Sequence, residues 1–191
     1  LVRRAQFIDV AAGVLLEKGL NTATMQDFAQ AAGVTKVLFY RLFPSRGALV
    51  EAVFHRVETA IEQAYNAPWE GYGSMVRRVL ESARKDPTPF LVVLRNSGGA
   101  ADQLEWGRRL RALFNARTRP LFNPDPAAPA DADIRADLAS DSLFGLFVDS
   151  MIVWLEDRDG LDDVARIRWW SQIVRTWHRA SREAYRLDPQ R

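Results

Sequence analysis

Between Thr24 and Ser45 three helix-starting residues (Thr24, Thr35, Ser45) and two helix-stopping ones (Gly33, Pro44) follow one another closely. That spacing leaves room only for two short helices and a tight turn. Thr24 can cap a helix, and Asp27, at its third helical position, can return a bond to the Thr24 backbone. This is a capping-box arrangement, although Glu or Gln is the commoner partner. Phe28, Ala29 and Ala32 share one face of that helix. Gly33 takes a left-handed backbone at little cost, which ends it. Val34 follows as an apolar plug. Thr35 then caps a second helix carrying Lys36, Leu38, Phe39, Tyr40, Arg41 and Phe43. Pro44 disfavours helical backbone at Phe43 and stops it, and Ser45 caps a third, longer helix. Short helices joined through a Gly-containing turn form a helix-turn-helix, whose second helix is shaped to enter a DNA major groove.

The flanking sequence supplies the rest of a small domain. From Arg3 to Lys18, Phe7, Val10, Ala11, Val14 and Leu15 recur at helical spacing, and Gly19 closes that helix. Phe7, Val10, Val14 and Leu15 are expected to pack on Phe28, Ala29, Val34, Phe39 and Phe43. After the turn, Leu49, Val53, Val57, Ala60, Ile61 and Ala64 line a helix from Leu49 to Tyr65. It is too long to serve the small core alone, so it is expected to connect two domains, 1–48 and 49–191.

Residues 3 to about 55 resemble the DNA-binding domain of the TetR family of bacterial repressors. The family's Thr-Thr-x-x-Asp-Ile-Ala run appears as Ala23-Thr24-Met25-Gln26-Asp27-Phe28-Ala29. Its Ala-Gly-Val-Ser appears as Ala32-Gly33-Val34-Thr35. Its Tyr-x-x-Phe and Pro-Ser-Lys appear as Tyr40-Arg41-Leu42-Phe43 and Pro44-Ser45-Arg46, with Leu49 after them. The resemblance implies a double-stranded DNA operator as partner. On the groove side it places Thr35, Lys36 and Tyr40, with Leu38 and Arg41 on the same helix. Thr24 and Gln26 would meet backbone phosphates at the start of the preceding helix, and Arg46 suits another phosphate. The sequence departs from the family at Val37 and Leu38, where Gly and Thr are frequent, and at Leu42, where His is. Val37 and Leu38 bring no hydrogen bonds and can only touch a thymine methyl.

Past Tyr65 every stretch reads as helix. Trp69 to Lys85, Phe90 to Arg95, Leu104 to Leu121, Ile134 to Leu155 and Leu161 to about Arg186 are expected helices. Asp86 to Pro89, Ser97 to Gly99 and Asn123 to Asp133 are expected to interrupt them. The chain is therefore all-α, with an N-terminal three-helix helix-turn-helix domain and a larger C-terminal helical ligand-binding and dimerisation domain. The stretch from Leu143 to Leu155 leaves almost no polar face, and a helix apolar all round is buried all round. Trp154, Trp170, Ile173, Val174, Trp177 and Ala184 on the last two helices are the expected contacts of a homodimer built as a four-helix bundle across a twofold axis. TetR-family proteins dimerise in this way. Phe90, Leu94, Trp106, Leu110, Phe114, Phe144, Phe147 and Met151, together with Trp69, are the expected lining of a pocket for a small hydrophobic or aromatic effector.

Composition narrows the alternatives. The 191 residues contain no cysteine, which excludes disulfides, Cys-ligated zinc and Cys nucleophiles. A net charge of +2 says little, but residues 1–46 set Arg3, Arg4, Lys18, Lys36, Arg41 and Arg46 against only Asp9, Glu17 and Asp27. The longest apolar run is broken by Gly145, Asp149 and Ser150, so no membrane span is expected. The chain opens on Leu1 without a secretory pattern and is expected to be cytoplasmic. His55 and His178 stand far apart, and neither a His-Glu-x-x-His nor a Gly-x-Ser-x-Gly occurs. No catalytic residue, metal site or cofactor is expected. The expected function is a ligand-responsive repressor that binds a near-palindromic operator as a dimer and is released by its effector. The alternative is a helical small-molecule or protein-binding module with a degenerate helix-turn-helix and no operator.

Overall fold

The computed structural model describes residues 2–97, 105–122 and 130–186, and among them the chain forms nine helices and no strand. These are α1 (Val2–Lys18), α2 (Met25–Ala31), α3 (Lys36–Leu42), α4 (Arg46–Asn66), α5 (Ser74–Lys85), α6 (Pro87–Arg95), α7 (Glu105–Phe122), α8 (Ala130–Leu155) and α9 (Asp163–Arg186).

The helix ends in the first domain form where the side-chain chemistry requires them. The Thr24 hydroxyl accepts from the Asp27 amide at 3.3 Å, and the Thr24 amide donates to the Asp27 carboxylate at 2.8 Å, closing the capping box. α2 ends on Gly33 at φ +63. There the Val34 amide donates to the Ala29 carbonyl at 3.0 Å and the Gly33 amide to Gln30 at 3.1 Å, the bond pair of a Schellman motif. Thr35 and Ser45 cap α3 and α4 by accepting from the Leu38 and Ala48 amides at 3.4 and 3.0 Å. Phe43, ahead of Pro44, is extended.

Phe39 is the centre of the small core and is wholly buried. Its ring stacks on Phe7 at 4.4 Å and packs against Phe28 at 6.4 Å and Phe43 at 6.2 Å. Such aromatic pairs contribute about 0.5–1.5 kcal/mol each beyond their area burial. Val14, Leu15 and Ala29 are buried beside them, while Val10 and Val34 pack at the margin. The Arg4 guanidinium covers Phe43 at 4.8 Å.

The three-helix unit and the helical body share one continuous core. α4 packs on α1 at one side and on α5, α6 and α7 at the other, and α6 packs on α1, α4 and α8. A second bridge, α6, thus joins the expected connector. Arg56 on α4 pairs with Asp9 on α1 and with Asp86, at 2.7 Å, just ahead of α6.

Several expected boundaries move. α5 begins at Ser74 and not at Trp69, because Gly71 (φ +106) and Gly73 (φ +87) take left-handed backbone and make Trp69–Gly73 a turn. α6 begins at Pro87, since proline at the first helical position gives up an amide that has no partner there anyway. α8 starts earlier, at Ala130, and α9 later, at Asp163. Gly98, Gly99, Leu104 and residues 123–129 lie outside the described residues. Among the described residues, the Ile134–Leu155 part of α8 is long and apolar enough to cross a bilayer by length and composition alone, and half of its most apolar stretch is buried within the chain.

Candidate functional site

α3 turns Phe39 inward and four side chains outward: Lys36, Val37, Tyr40 and Arg41 are all exposed. Val37 is 65% exposed and Tyr40 47%. Leu38, expected on the outer face, packs half-buried against the core together with Leu42. Val37 takes the outward position, because at 3.6 residues per turn Val37 shares a face with Tyr40 and Arg41, whereas Leu38 and Leu42 flank the buried Phe39.

Thr24, Gln26 and Thr35 are exposed at the starts of α2 and α3. The two threonine hydroxyls are already occupied as caps, and Thr24 Oγ1 also donates to the Asp27 carboxylate at 2.7 Å. Lys18 reaches that carboxylate at 2.5 Å and neutralises the only acidic group in the first turn of α2. The Lys18 ammonium, followed by the Thr24 hydroxyl and backbone, holds the Asp27 carboxyl well below the usual carboxylate range. Arg46, expected at a phosphate, acts as a strut within the chain. Its Nε donates to the Ala23 carbonyl at 2.6 Å, and a terminal nitrogen donates to the Leu20 carbonyl. The α1–α2 loop is thereby tied to the start of α4.

The helical body holds a cavity of about 50 Å³, with Tyr72, Phe114, Thr118, Leu143, Trp170 and Val174 in its wall. Of the expected effector-binding residues, Phe114 lies in this wall. Trp69 lines it as well, although its side chain is mostly exposed. Phe144 and Phe147 pack behind Phe114, with ring centroids at 5.5 and 5.2 Å. Phe90, Leu94 and Met151 are plain core. Trp106 and Leu110 line a separate shallow groove with Phe54, Val93, Glu58 and Arg109.

The Trp69–Gly73 turn walls one side of the cavity and is anchored to α9. Ser171 Oγ donates to the Tyr72 carbonyl at 2.8 Å, and the Tyr72 hydroxyl bonds His178 Nδ1. Trp69 sits edge-on to the Tyr72 ring at 5.6 Å, and the Arg175 guanidinium lies 5.5 Å from it. Of the turn, the sequence marks only Trp69 as pocket lining, because the stretch reads as the start of a helix.

Thr118 brings a polar group to the cavity wall, and further polar groups lie near it. Thr118 Oγ1 pairs with Ser140 Oγ at 2.5 Å, and Ser140 donates to Asn115 at 2.9 Å. Two buried hydroxyls, Tyr65 and Ser74, have no hydrogen-bond partner among the described residues. Ser74 stands between Gly73 and Met75, both in the cavity wall, and the Tyr65 ring is edge-on to Phe114 at 6.3 Å. Burial pushes the Tyr65 phenol well above its ordinary value, so it is a neutral donor. An unpaired buried hydroxyl costs about 1–3 kcal/mol, which a ligand offering the matching acceptor would recover.

The expected dimer residues divide. Trp154, Trp170 and Val174 are buried within the chain, and Trp170 and Val174 face the cavity. Ile173 and Trp177 are half-buried, and the side chain of Ala184 lies outside the described residues. The large apolar side chains recorded as exposed here are Ile134 and Leu138 on α8, Val164 and Trp169 on α9, and Leu161 between them; Trp169 opens beside Val153 and Trp154 of α8, whereas Val164 opens beside Arg77 and Leu80 of α5. Arg166, 2% exposed, fastens the α8–α9 turn through Asp157 at 2.9 Å, Asp159 at 2.5 Å and Asp163 at 2.8 Å. Arg84 on α5 shares Asp157 and Asp163 at 2.8 and 2.9 Å.

Residues 7–53 match the sequence pattern of bacterial regulatory proteins of the tetR family. The nucleoid occlusion factor SlmA of Haemophilus ducreyi is 32% identical over 93 residues, 44% of this chain and 46% of SlmA. The matched segment thus spans about half the length of this curated relative. A tetR-family transcriptional regulator from Streptomyces coelicolor superposes with a TM-score of 0.60 at 21% identity, covering 96% of this chain and 81% of its own. The regulator FadR of Bacillus subtilis, solved in complex with stearoyl-CoA, superposes at 0.62 with 16% identity, covering 89% and 96%. At these identities the two structures share the fold.

Proposed function

From this chain's membership of the TetR family of bacterial regulatory proteins, we propose that it is a cytoplasmic, ligand-responsive repressor, and not an enzyme, that binds a near-palindromic operator as a homodimer. The observation that carries this reading is the outward face of α3, where Lys36, Val37, Tyr40 and Arg41 project from a helix anchored by the buried Phe39. Two cations and a phenol beside an apolar group suit a polyanion with readable base edges. Residues 1–48 form the DNA-binding unit and residues 49–191 the effector and dimerisation unit.

The dimer pairs the outer faces of α8 and α9 through Ile134, Leu138 and Trp169, with Ile173 and Trp177 at the margin. The exposure of these side chains supports that pairing. It places two copies of α3 on successive major grooves, about 34–36 Å or a multiple apart. The effector is a small hydrophobic or aromatic molecule with one polar group. It enters the cavity beside Phe114 and Trp170 past the Trp69–Gly73 turn. The Bacillus subtilis protein of the same fold was solved in complex with stearoyl-CoA, which supports an apolar ligand for this chain. The effector acts by favouring a state with the wrong separation of the two α3 helices, and its differential affinity for the two states sets the size of the response.

The test is a binding selection from random DNA at near-physiological salt. A palindromic motif is expected, with affinity for it falling steeply as salt rises through counterion release. No enrichment from a protein shown to be folded and dimeric overturns the operator. It favours the alternative, a binding module with a degenerate helix-turn-helix, to which Val37, Leu38 and Leu42 lend support by offering the groove no hydrogen bond.

A further inference from the structure

We propose that Val37 reads the 5-methyl group of a thymine in each operator half-site and so sets sequence preference at that base pair. This rests on the DNA-binding reading above. Val37 is the most exposed of the apolar side chains recorded as open in the helix-turn-helix, at 65%. It does nothing visible for the fold. β-Branched valine is a poorer helix former than alanine, and its neighbours Leu38 and Phe39 carry the packing. An exposed apolar residue standing alone needs no explanation. This one, however, stands in the middle of the face that Lys36, Tyr40 and Arg41 share.

Those neighbours select the partner. An apolar protein surface would have to bury two cations to reach Val37, whereas DNA meets them with phosphates and base edges. In the major groove the thymine methyl is the distinctive apolar feature of the base edges, and G·C pairs present none. Valine in a helix holds essentially one χ1 rotamer, so its methyls are presented in a fixed place and at little entropic cost. Leu38 could not do this, because its side chain is turned against the core.

The test uses the full-length dimer and its selected operator, in which each thymine is replaced in turn by deoxyuridine, symmetrically in both half-sites. This removes the methyl and leaves every hydrogen bond in place. At one position wild-type protein should lose about fourfold in affinity per half-site, or about fifteenfold per symmetric operator, the factor for one buried methyl group. Val37→Ala should bind the thymine operator more weakly than wild type and show less than about a twofold difference between the thymine and uracil operators. It should melt at or slightly above wild type, since alanine is the better helix former, and the salt dependence of its binding to random DNA should match wild type. Three results overturn the proposal: a selected motif without thymine, wild-type binding indifferent to uracil at every position, or the same uracil penalty in Val37→Ala. In each of these the operator-binding function survives. A selection that enriches no motif removes that function and this inference together.

Discussion

Replacing Gly73 by alanine should loosen the cavity wall while leaving the small core intact. Gly73 sits at φ +87, and a side chain there costs about 1–2 kcal/mol from backbone sterics alone. A Cβ would also overlap Ser171 Oγ and come within 3.3 Å of Ser171 Cβ and Ile167 Cγ2. Ser171 can rotate its hydroxyl aside only by giving up its bond to the Tyr72 carbonyl at 2.8 Å, a loss of about 1 kcal/mol. The expected total is about 2–3 kcal/mol, read in urea as a lower midpoint at unchanged slope. Ser171→Ala alone should cost about 1 kcal/mol. The double variant should cost less than the two singles together, by about 1 kcal/mol, because the overlap and the hydrogen bond involve the same hydroxyl. Single-variant costs that simply add, or a Gly73→Ala protein within about 0.5 kcal/mol of wild type, would refute the close approach of the turn to α9.

Other expectations follow from individual contacts. Asp27, held low by Lys18 and Thr24, contributes stability that is complete above the unfolded carboxylate value of about pH 4. That contribution is lost as pH falls through the lower folded value, so Asp27→Asn should melt below wild type at pH 7 and the two melting curves should converge toward pH 2. Arg46→Met removes the strut to the Leu20 and Ala23 carbonyls and should cost about 2–3 kcal/mol in chemical denaturation; an unchanged midpoint would return Arg46 to the phosphate-contact set. Leu138→Arg, at an exposed position on α8, should give monomers by sedimentation at concentrations where wild type is dimeric, with an unchanged helical spectrum. A persistent dimer would move the interface elsewhere.

The helix-turn-helix was legible because its information is local. Thr24, Gly33, Thr35, Pro44 and Ser45 each act within a few residues of themselves, and each acts in the structure as its chemistry dictates. What escaped depends on contacts distant in sequence. Arg46 looked like a phosphate ligand because nothing near it in sequence shows the Leu20 and Ala23 carbonyls waiting more than twenty residues upstream. Trp170 and Val174 form an apolar stripe with either meaning, and only the packing of α9 on α7 and α8 turns it toward the cavity. Trp69–Gly73 read as a helix start because two glycines at positive φ look no different in sequence from two glycines inside a weak helix.

The same distinction bears on how the proposed regulator would transmit a signal. A single connector, α4, would have to tilt or bend to move α3. The structure adds a shorter route, since α5 ends at Lys85, Asp86 alone separates it from α6 at Pro87, and α6 packs directly on α1. Arg56 holds Asp9 and Asp86 together across that junction. Exposed ion pairs contribute only about 0–1 kcal/mol each, too little to carry a coupling of about 1–3 kcal/mol between effector and DNA. In the proposed regulator the force would therefore pass through apolar packing of α6 on α1 and α4, with Arg56 fixing the register of the three elements. A cavity that opened by displacing α5 would move α6 with it, and α1 would follow as part of the same core that seats Phe39 under α3.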